Sequence, residues 1–115
     1  MKKKLLIVVD MQNDFVNGSL ANPTAEAIIP TIIGEMDASD FIYFTRDTHH
    51  ENYLQTSEGK KLPIKHCIED SEGWQIVEPL MSHVYSISTP FDFVNKENFG
   101  FPYWGALSII HEYYG

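Results

Sequence analysis

Residues 5–9 read Leu-Leu-Ile-Val-Val, and the run stops at an acidic residue, Asp10. Five aliphatics without a polar break, rich in Ile and Val, are the pattern of a strand buried on both faces. The run therefore predicts a central strand of a parallel sheet. Asp10 then stands at the carboxyl end of that strand, the edge at which open α/β sheets hold their sites. Either it caps the turn or helix that follows, or it takes part in chemistry at that edge. The stretch alone leaves both open.

The segments that follow extend the pattern. Residues 17–24 (NGSLANPT) are dense in turn formers, and Ala25, Ile28, Ile29, Ile32, Ile33 and Met36 then fall on one helical face. Pro30 lies inside this pattern, so the regular helix either starts close to residue 27 or kinks at the proline. Residues 40–45 (DFIYFT) predict a second strand. With a right-handed crossover the two strands are parallel neighbours, which brings residue 10 and residues 46–49 to the same sheet edge.

Residues 46–73 read as a long polar loop, of a length that usually carries function. Residues 74–81 (WQIVEPLM) predict a short helix and 83–87 (HVYSI) a third strand, while Tyr103, Leu107, Ile110 and Tyr114 line a last helix. Three strands of interior type leave the edges of a parallel sheet uncovered. The chain thus reads as one partial domain over residues 1–115, the front half of a larger doubly wound domain. Its hydrophobic edges predict association into a homo-oligomer.

Charge narrows the partners. Eight basic residues against sixteen acidic give a net charge of −8, which argues against a nucleic-acid backbone. The only basic run is Lys2 to Lys4, and the five apolar residues after it are too few for a signal-peptide core or a membrane span. A soluble, cytoplasmic protein with no membrane partner is expected. The single cysteine, Cys67, excludes an intrachain disulfide and suits a reducing compartment.

Residues 45–52 (TRDTHHEN) follow the second strand and carry Asp47 and His49; residues 62–67 (LPIKHC) add His66. One carboxylate and two imidazoles at one sheet edge can form a facial site for Zn²⁺, Fe²⁺ or Mn²⁺. The plainer alternative is an Asp47–Arg46 ion pair with His49, His50 and His66 facing solvent. Lys96, in FVNKENFG, can reach the edge that holds Asp10, or can be an exposed lysine balanced by Glu97. Phe15 either packs in the core or lines a pocket for a flat substrate.

Together, LLIVVDMQNDF, FTRDTHHENY, GKKLPIKHCIEDSEGWQIVEPL and NKENFG resemble, in order and spacing, the isochorismatase-like cysteine hydrolases, and among them the nicotinamidase branch. The resemblance runs over essentially the whole chain. It implies an α/β, Rossmann-like three-layer fold around a parallel sheet, here truncated after about three strands. It implies that Asp10 is the general base or acid of an Asp, Lys, Cys triad and Lys96 its second member, that Asp47, His49 and His66 are metal ligands, and that Phe15 packs on the substrate.

The activity implied is hydrolysis of a small carboxamide such as nicotinamide to the acid and ammonia. A divalent metal, Zn²⁺ first and Mn²⁺ or Fe²⁺ as alternatives, would face the pyridine nitrogen. In this family the nucleophilic cysteine follows the lysine after a further strand. Cys67 instead matches the cysteine beside the metal-ligand histidine, so the triad is expected to be incomplete in this chain. The alternative expectation is an inactive half-domain that binds a metal or ligand, or associates with itself.

Overall fold

The computed structural model describes residues 3–96. Three strands, β1 (Leu5–Val9), β2 (Phe41–Asp47) and β3 (Phe91–Lys96), form one open sheet in the order β1-β2-β3, and both pairings are parallel. Between β1 and β2 run α1 (Asn13–Val16), α2 (Pro23–Ala27) and α3 (Ile29–Asp37); between β2 and β3 run α4 (Ser57–Lys61) and α5 (Glu78–Ser86). Because the strands are parallel, their carboxyl ends lie along one edge, and Asp10, Asp47 and Lys96 all fall there.

Strand alternation sets the core. Val8 of β1, with Ile42 and Phe44 of β2, points toward Met36 of α3 and toward Leu80 and Val84 of α5, and all six are buried. Full burial of a side chain such as Ile42 or Phe44 is worth about 1.5–3 kcal/mol. Phe44 also packs against Phe91 and Phe93 of β3, with ring centroids at 6.2 and 5.5 Å. The opposite face carries Ile7, Val9, Phe41, Tyr43 and Val94, which are half-buried or exposed.

Several expectations change in the folded chain. Residues 83–87 are not a strand: residues 83–86 close α5, and the third strand is Phe91–Lys96. Leu80 and Val84 stand four residues apart, and both are fully buried, so the helical period overrides the β-type composition of HVYSI. Pro79 sits in the first turn of α5, where its missing N–H costs nothing. The helix expected over 74–81 is realised only from Glu78; Trp74 instead ends a 3₁₀ turn, Glu72–Trp74.

At Pro30 the helical segment divides. Α2 ends at Ala27, Ile28 is the junction, and α3 restarts with the proline in its first turn. Among the described residues β1 lies at a sheet edge and not at its centre, and Val9 is 52% exposed. The expected last helix through Tyr103 and Tyr114 lies outside the described residues. No helix among the described residues is long and apolar enough to cross a membrane.

Candidate active site and metal centre

Two groups of side chains meet at the carboxyl edge of the sheet. The first is centred on Asp10, which follows β1 with a left-handed backbone, φ 53°. Its N–H donates to the carbonyl and hydroxyl oxygens of Thr45, both at 3.1 Å. Its carboxylate is held at both oxygens: the Thr45 hydroxyl donates to Oδ1 at 2.8 Å, and Lys96 Nζ donates to Oδ2 at 2.7 Å. Sequence order separates Asp10 from Lys96 by 86 residues, and β2 lies between their strands. Lys96 is the last residue of β3, and its side chain is only 14% exposed, so it is an ion-pair partner and not a solvated loop lysine.

The second group is Asp47, His49 and His66, whose ligand atoms all lie within 4.8 Å of one another. His49 Nε2 is 3.0 Å and His66 Nε2 3.5 Å from Asp47 Oδ2. Both imidazoles are buried, which removes the solvent-facing alternative; His50, in contrast, is exposed and near Glu69. His66 Nδ1 donates to the Ile64 carbonyl at 2.7 Å, leaving Nε2 to face the cluster. A backbone carbonyl behind the ring is the usual way in which a ligating histidine is oriented.

The electrostatics follow from this packing. Burial by itself would raise the Asp47 pKa, but the hydrogen bond from His66, the nearby His49 and the charge of Lys96 outweigh it and hold it below its ordinary value. For His66, burial would lower the pKa, yet Asp47, the Ile64 carbonyl and Asp14 together raise it. Two imidazole nitrogens and one carboxylate oxygen converging on one point are a donor set that suits Zn²⁺, Mn²⁺ or Fe²⁺. The residues present thus fit a divalent ion.

Around the cluster, the Tyr53 ring is tilted against His49 and edge-on to His66, with centroids at 4.6 and 5.0 Å, and its hydroxyl donates to the Leu62 carbonyl at 2.8 Å. A cleft of ≈ 250 Å³ is lined by Asp47, Tyr53, Glu58, Lys61, Leu62 and His66. Phe15 stands edge-on to His66 at 5.5 Å and, with Asp10, Leu20 and Asn22, borders a second cleft of ≈ 400 Å³. A hollow of ≈ 470 Å³ at the opposite end of the sheet, bordered by Leu5, Phe41 and Pro90, is remote from all of these groups.

Arg46 does not pair with Asp47. Its guanidinium lies between the rings of Trp74 and Phe93, at 4.0 and 4.4 Å, and Nε donates to Asn95. Cys67 is completely buried, and burial, followed by the charges of Asp47, Asp14 and Asp10, pushes its thiol pKa far up against the weaker opposing effect of Lys96. It is a protonated thiol at neutral pH.

Sequence reasoning missed three contributors. Gln12 is fully buried, and its side chain pairs with the backbone of Asp47 in both directions: Nε2 donates to the carbonyl and Oε1 accepts the N–H, each at 2.9 Å. Nε2 also donates to the Trp74 carbonyl. The sequence places Thr45 only in a strand and Glu58 only in a loop. Glu58 Oε2 comes to 3.8 Å from His49 Nε2 because α4 is anchored by the Thr56 cap and by the close approach of Gly59 to the Tyr53 backbone. The signal available for Gln12 was its polarity directly after an apolar strand; for Glu58 no sequence signal exists.

Similarity to known proteins agrees with this geometry. Residues 4–99 match the isochorismatase domain family. The nicotinamidase of Saccharomyces cerevisiae is 31% identical over 111 residues, an alignment covering 70% of this chain and 51% of that protein. The crystal structure of the yeast nicotinamidase bound to the inhibitor nicotinaldehyde superposes with a TM-score of 0.66 at 28% identity, covering 84% of this chain and 57% of that one. The pyrazinamidase of Pyrococcus horikoshii in complex with zinc gives a TM-score of 0.58 at 26% identity, covering 94% of this chain and 65% of that one. The chain spans about half the length of the curated relative it matches. By the extent of the family match and the open parallel sheet it shares with these enzymes, the chain belongs to the isochorismatase domain family.

Proposed function

We propose that this chain carries the proton-handling and metal-binding part of an amidohydrolase site for a small carboxamide such as nicotinamide, with Asp10 and Lys96 as catalytic residues and Asp47, His49 and His66 as metal ligands. The single observation that carries the reading is the meeting of the Asp10–Lys96 pair and the Asp47, His49, His66 cluster at one sheet edge. The names of the similar proteins, nicotinamidases and a zinc-bound pyrazinamidase, support the substrate class and the ion.

In this reading Asp10 accepts the proton of an attacking thiol supplied from outside these 115 residues, while Lys96 and Thr45 hold its carboxylate in place. The thiolate adds to the amide carbon, and the proton passes to the departing nitrogen, which leaves as ammonia. Water then cleaves the thioester to the acid. Phe15 offers a flat wall for the ring of the substrate. A bound divalent ion supplies Lewis-acid polarisation and an anchor for a ring nitrogen.

Cys67 is not the attacking thiol in this scheme. It is buried and protonated, and the chain has no other cysteine. Ammonia release from nicotinamide by the purified chain, with Zn²⁺ or Mn²⁺ and with a metal-free control, tests the reading. The expected result is metal binding and nicotinamide-induced shifts of Phe15 resonances without turnover. Turnover abolished by Cys67→Ala would assign the nucleophile to Cys67 and overturn the scheme.

A second reading, an inactive module that associates with itself, is favoured by one observation: the apolar sheet face bearing Ile7, Val9, Phe41 and Tyr43 is half-buried or exposed. Sedimentation equilibrium separates the two. A monomer that binds nicotinamide supports the first, and a concentration-dependent oligomer without ligand binding supports the second.

A further inference from the structure

The helix α1 and the turn after it touch three successive residues of the loop that carries His66. Ser19 Oγ donates to the Lys65 carbonyl at 3.2 Å, the Phe15 ring meets the His66 ring at 5.5 Å, and Asp14 Oδ2 accepts the Cys67 N–H at 2.7 Å. From the sequence, 46 to 53 residues separate the partners in the two hydrogen bonds. This is a tertiary grip on one short stretch, and His66 lies in the middle of it.

The grip acts on a strained backbone. Cys67 has φ 49°, a left-handed conformation that a side-chain-bearing residue keeps only when its surroundings hold it there. The Cys67 carbonyl is already committed to the His49 N–H at 2.9 Å, so the peptide groups on both sides of Cys67 are held, one by Asp14 and the other by His49. The Asp14 carboxylate also accepts, more weakly, from the Ser19 N–H at 3.4 Å. A methyl group on Gly73 would overlap that carboxylate, so the residue there must be glycine for Asp14 to reach the loop. Asn13 fixes the same 3₁₀ turn by donating to the Glu72 carbonyl at 2.8 Å.

We propose that Asp14 is a positioning residue for the metal centre: by holding Cys67 in its left-handed conformation, it sets the His66 ring against Asp47 and His49. The inference rests on the metal-binding reading above and adds a residue to it. Asp14 is not one of the three ligand groups and acts through the Cys67 backbone. Without its carboxylate the backbone at Cys67 relaxes toward the common φ region, the His66 ring turns away from Asp47, and a three-ligand site becomes a two-ligand one.

The test is a Co²⁺ titration of the 115-residue chain, followed through the visible d–d absorption, which reports the number and kind of ligands, alongside amide hydrogen exchange at Cys67. In Asp14→Ala, Co²⁺ affinity is expected to fall about 10- to 100-fold. The d–d bands should change in intensity, and the Cys67 amide should lose protection while those of β2 keep theirs. Asp14→Asn, which retains one oxygen acceptor, should recover part of the affinity. Ser19→Ala, at an exposed bond, should cost about threefold.

Should Asp14→Ala fail to fold, Asp14→Asn and Ser19→Ala carry the test. Wild-type affinity and an unchanged cobalt spectrum in both would overturn the inference. If the wild-type chain itself binds no Co²⁺, the metal-binding reading falls and this inference with it. If wild-type binds and folded Asp14→Ala binds equally, only the inference falls.

Discussion

Lys96 Nζ stands 2.7 Å from Asp10 Oδ2, while the Thr45 hydroxyl occupies Oδ1 of the same carboxylate. Three adjacent strands thus converge on one carboxyl group, each contributing from its carboxyl end. Charge-assisted hydrogen bonds of this kind are worth about 1.5–3 kcal/mol when partly shielded. The Lys96 and Asp10 side chains are 14% and 23% exposed, so shielding here is partial. Lys96→Met is expected to lower unfolding stability by about 2 kcal/mol. Thr45→Val should cost about 1 kcal/mol, since the Asp10 N–H retains the Thr45 carbonyl. Urea unfolding of each variant measures both, and an unchanged midpoint for Lys96→Met would refute the coupling.

Gln12 predicts a larger loss. Its amide serves Asp47 as an additional strand backbone would, and its removal leaves the Asp47 N–H and the Asp47 and Trp74 carbonyls without that partner. Gln12→Ala should destabilise the chain by about 3 kcal/mol through unsatisfied buried groups and a cavity. Gln12→Glu retains an acceptor for the N–H but places a carboxylate against two carbonyls, and should be nearly as harmful. A thermal or urea midpoint within error of wild type for both would show that water replaces Gln12 at no cost.

The Asp47–His66 pair makes the metal-free protein sensitive to pH in a defined direction. His66 has a folded pKa raised above 6.5, so its contribution is fully present below that value and is lost as pH rises through the folded pKa. Asp47 has a folded pKa below 3.8, so its contribution is present above 3.8 and is lost as pH falls through the folded pKa. Chelator-treated protein should therefore gain stability from weakly alkaline to weakly acidic pH and lose it again in strong acid. In His66→Gln the alkaline branch should flatten. Metal affinity runs the other way, weakening as protons compete for His66.

Cys67 should behave as an inert thiol. It is fully buried with a strongly raised pKa, and the nucleophile in thiol chemistry is the thiolate. Labelling by a disulfide reagent at pH 7 is expected to be slow in the folded chain and rapid in denaturant. Fast stoichiometric labelling of the native protein would contradict the burial and reopen Cys67 as a nucleophile.

Much of the fold was legible because local periodicity and hydrophobic burial coincide. The aliphatic run at Leu5–Val9 is a strand, the β-type run at residues 40–45 is realised as the strand Phe41–Asp47, Ile29, Ile32 and Ile33 pack toward the core although Ile28 stays exposed, and parallel pairing brings Asp10 and Asp47 to one edge. Local composition misplaces the third strand because His83–Ile87 is strand-like over five residues, whereas Leu80 and Val84 bury a helical face. A window that short does not contain both periods, and tertiary burial decides between them.

By itself, then, the sequence determined the parallel α/β class, the acidic end of the first strand and the residue types able to bind a metal or pair with a lysine. Those properties follow from local composition and alternation. Only the tertiary structure decided that His49 and His66 are buried beside Asp47, that Lys96 reaches Asp10, that Arg46 stacks between Trp74 and Phe93, and that Gln12 and Asp14 hold the site's backbone. Each of these joins segments tens of residues apart, and side-chain geometry across such distances arises from packing, which no local pattern encodes.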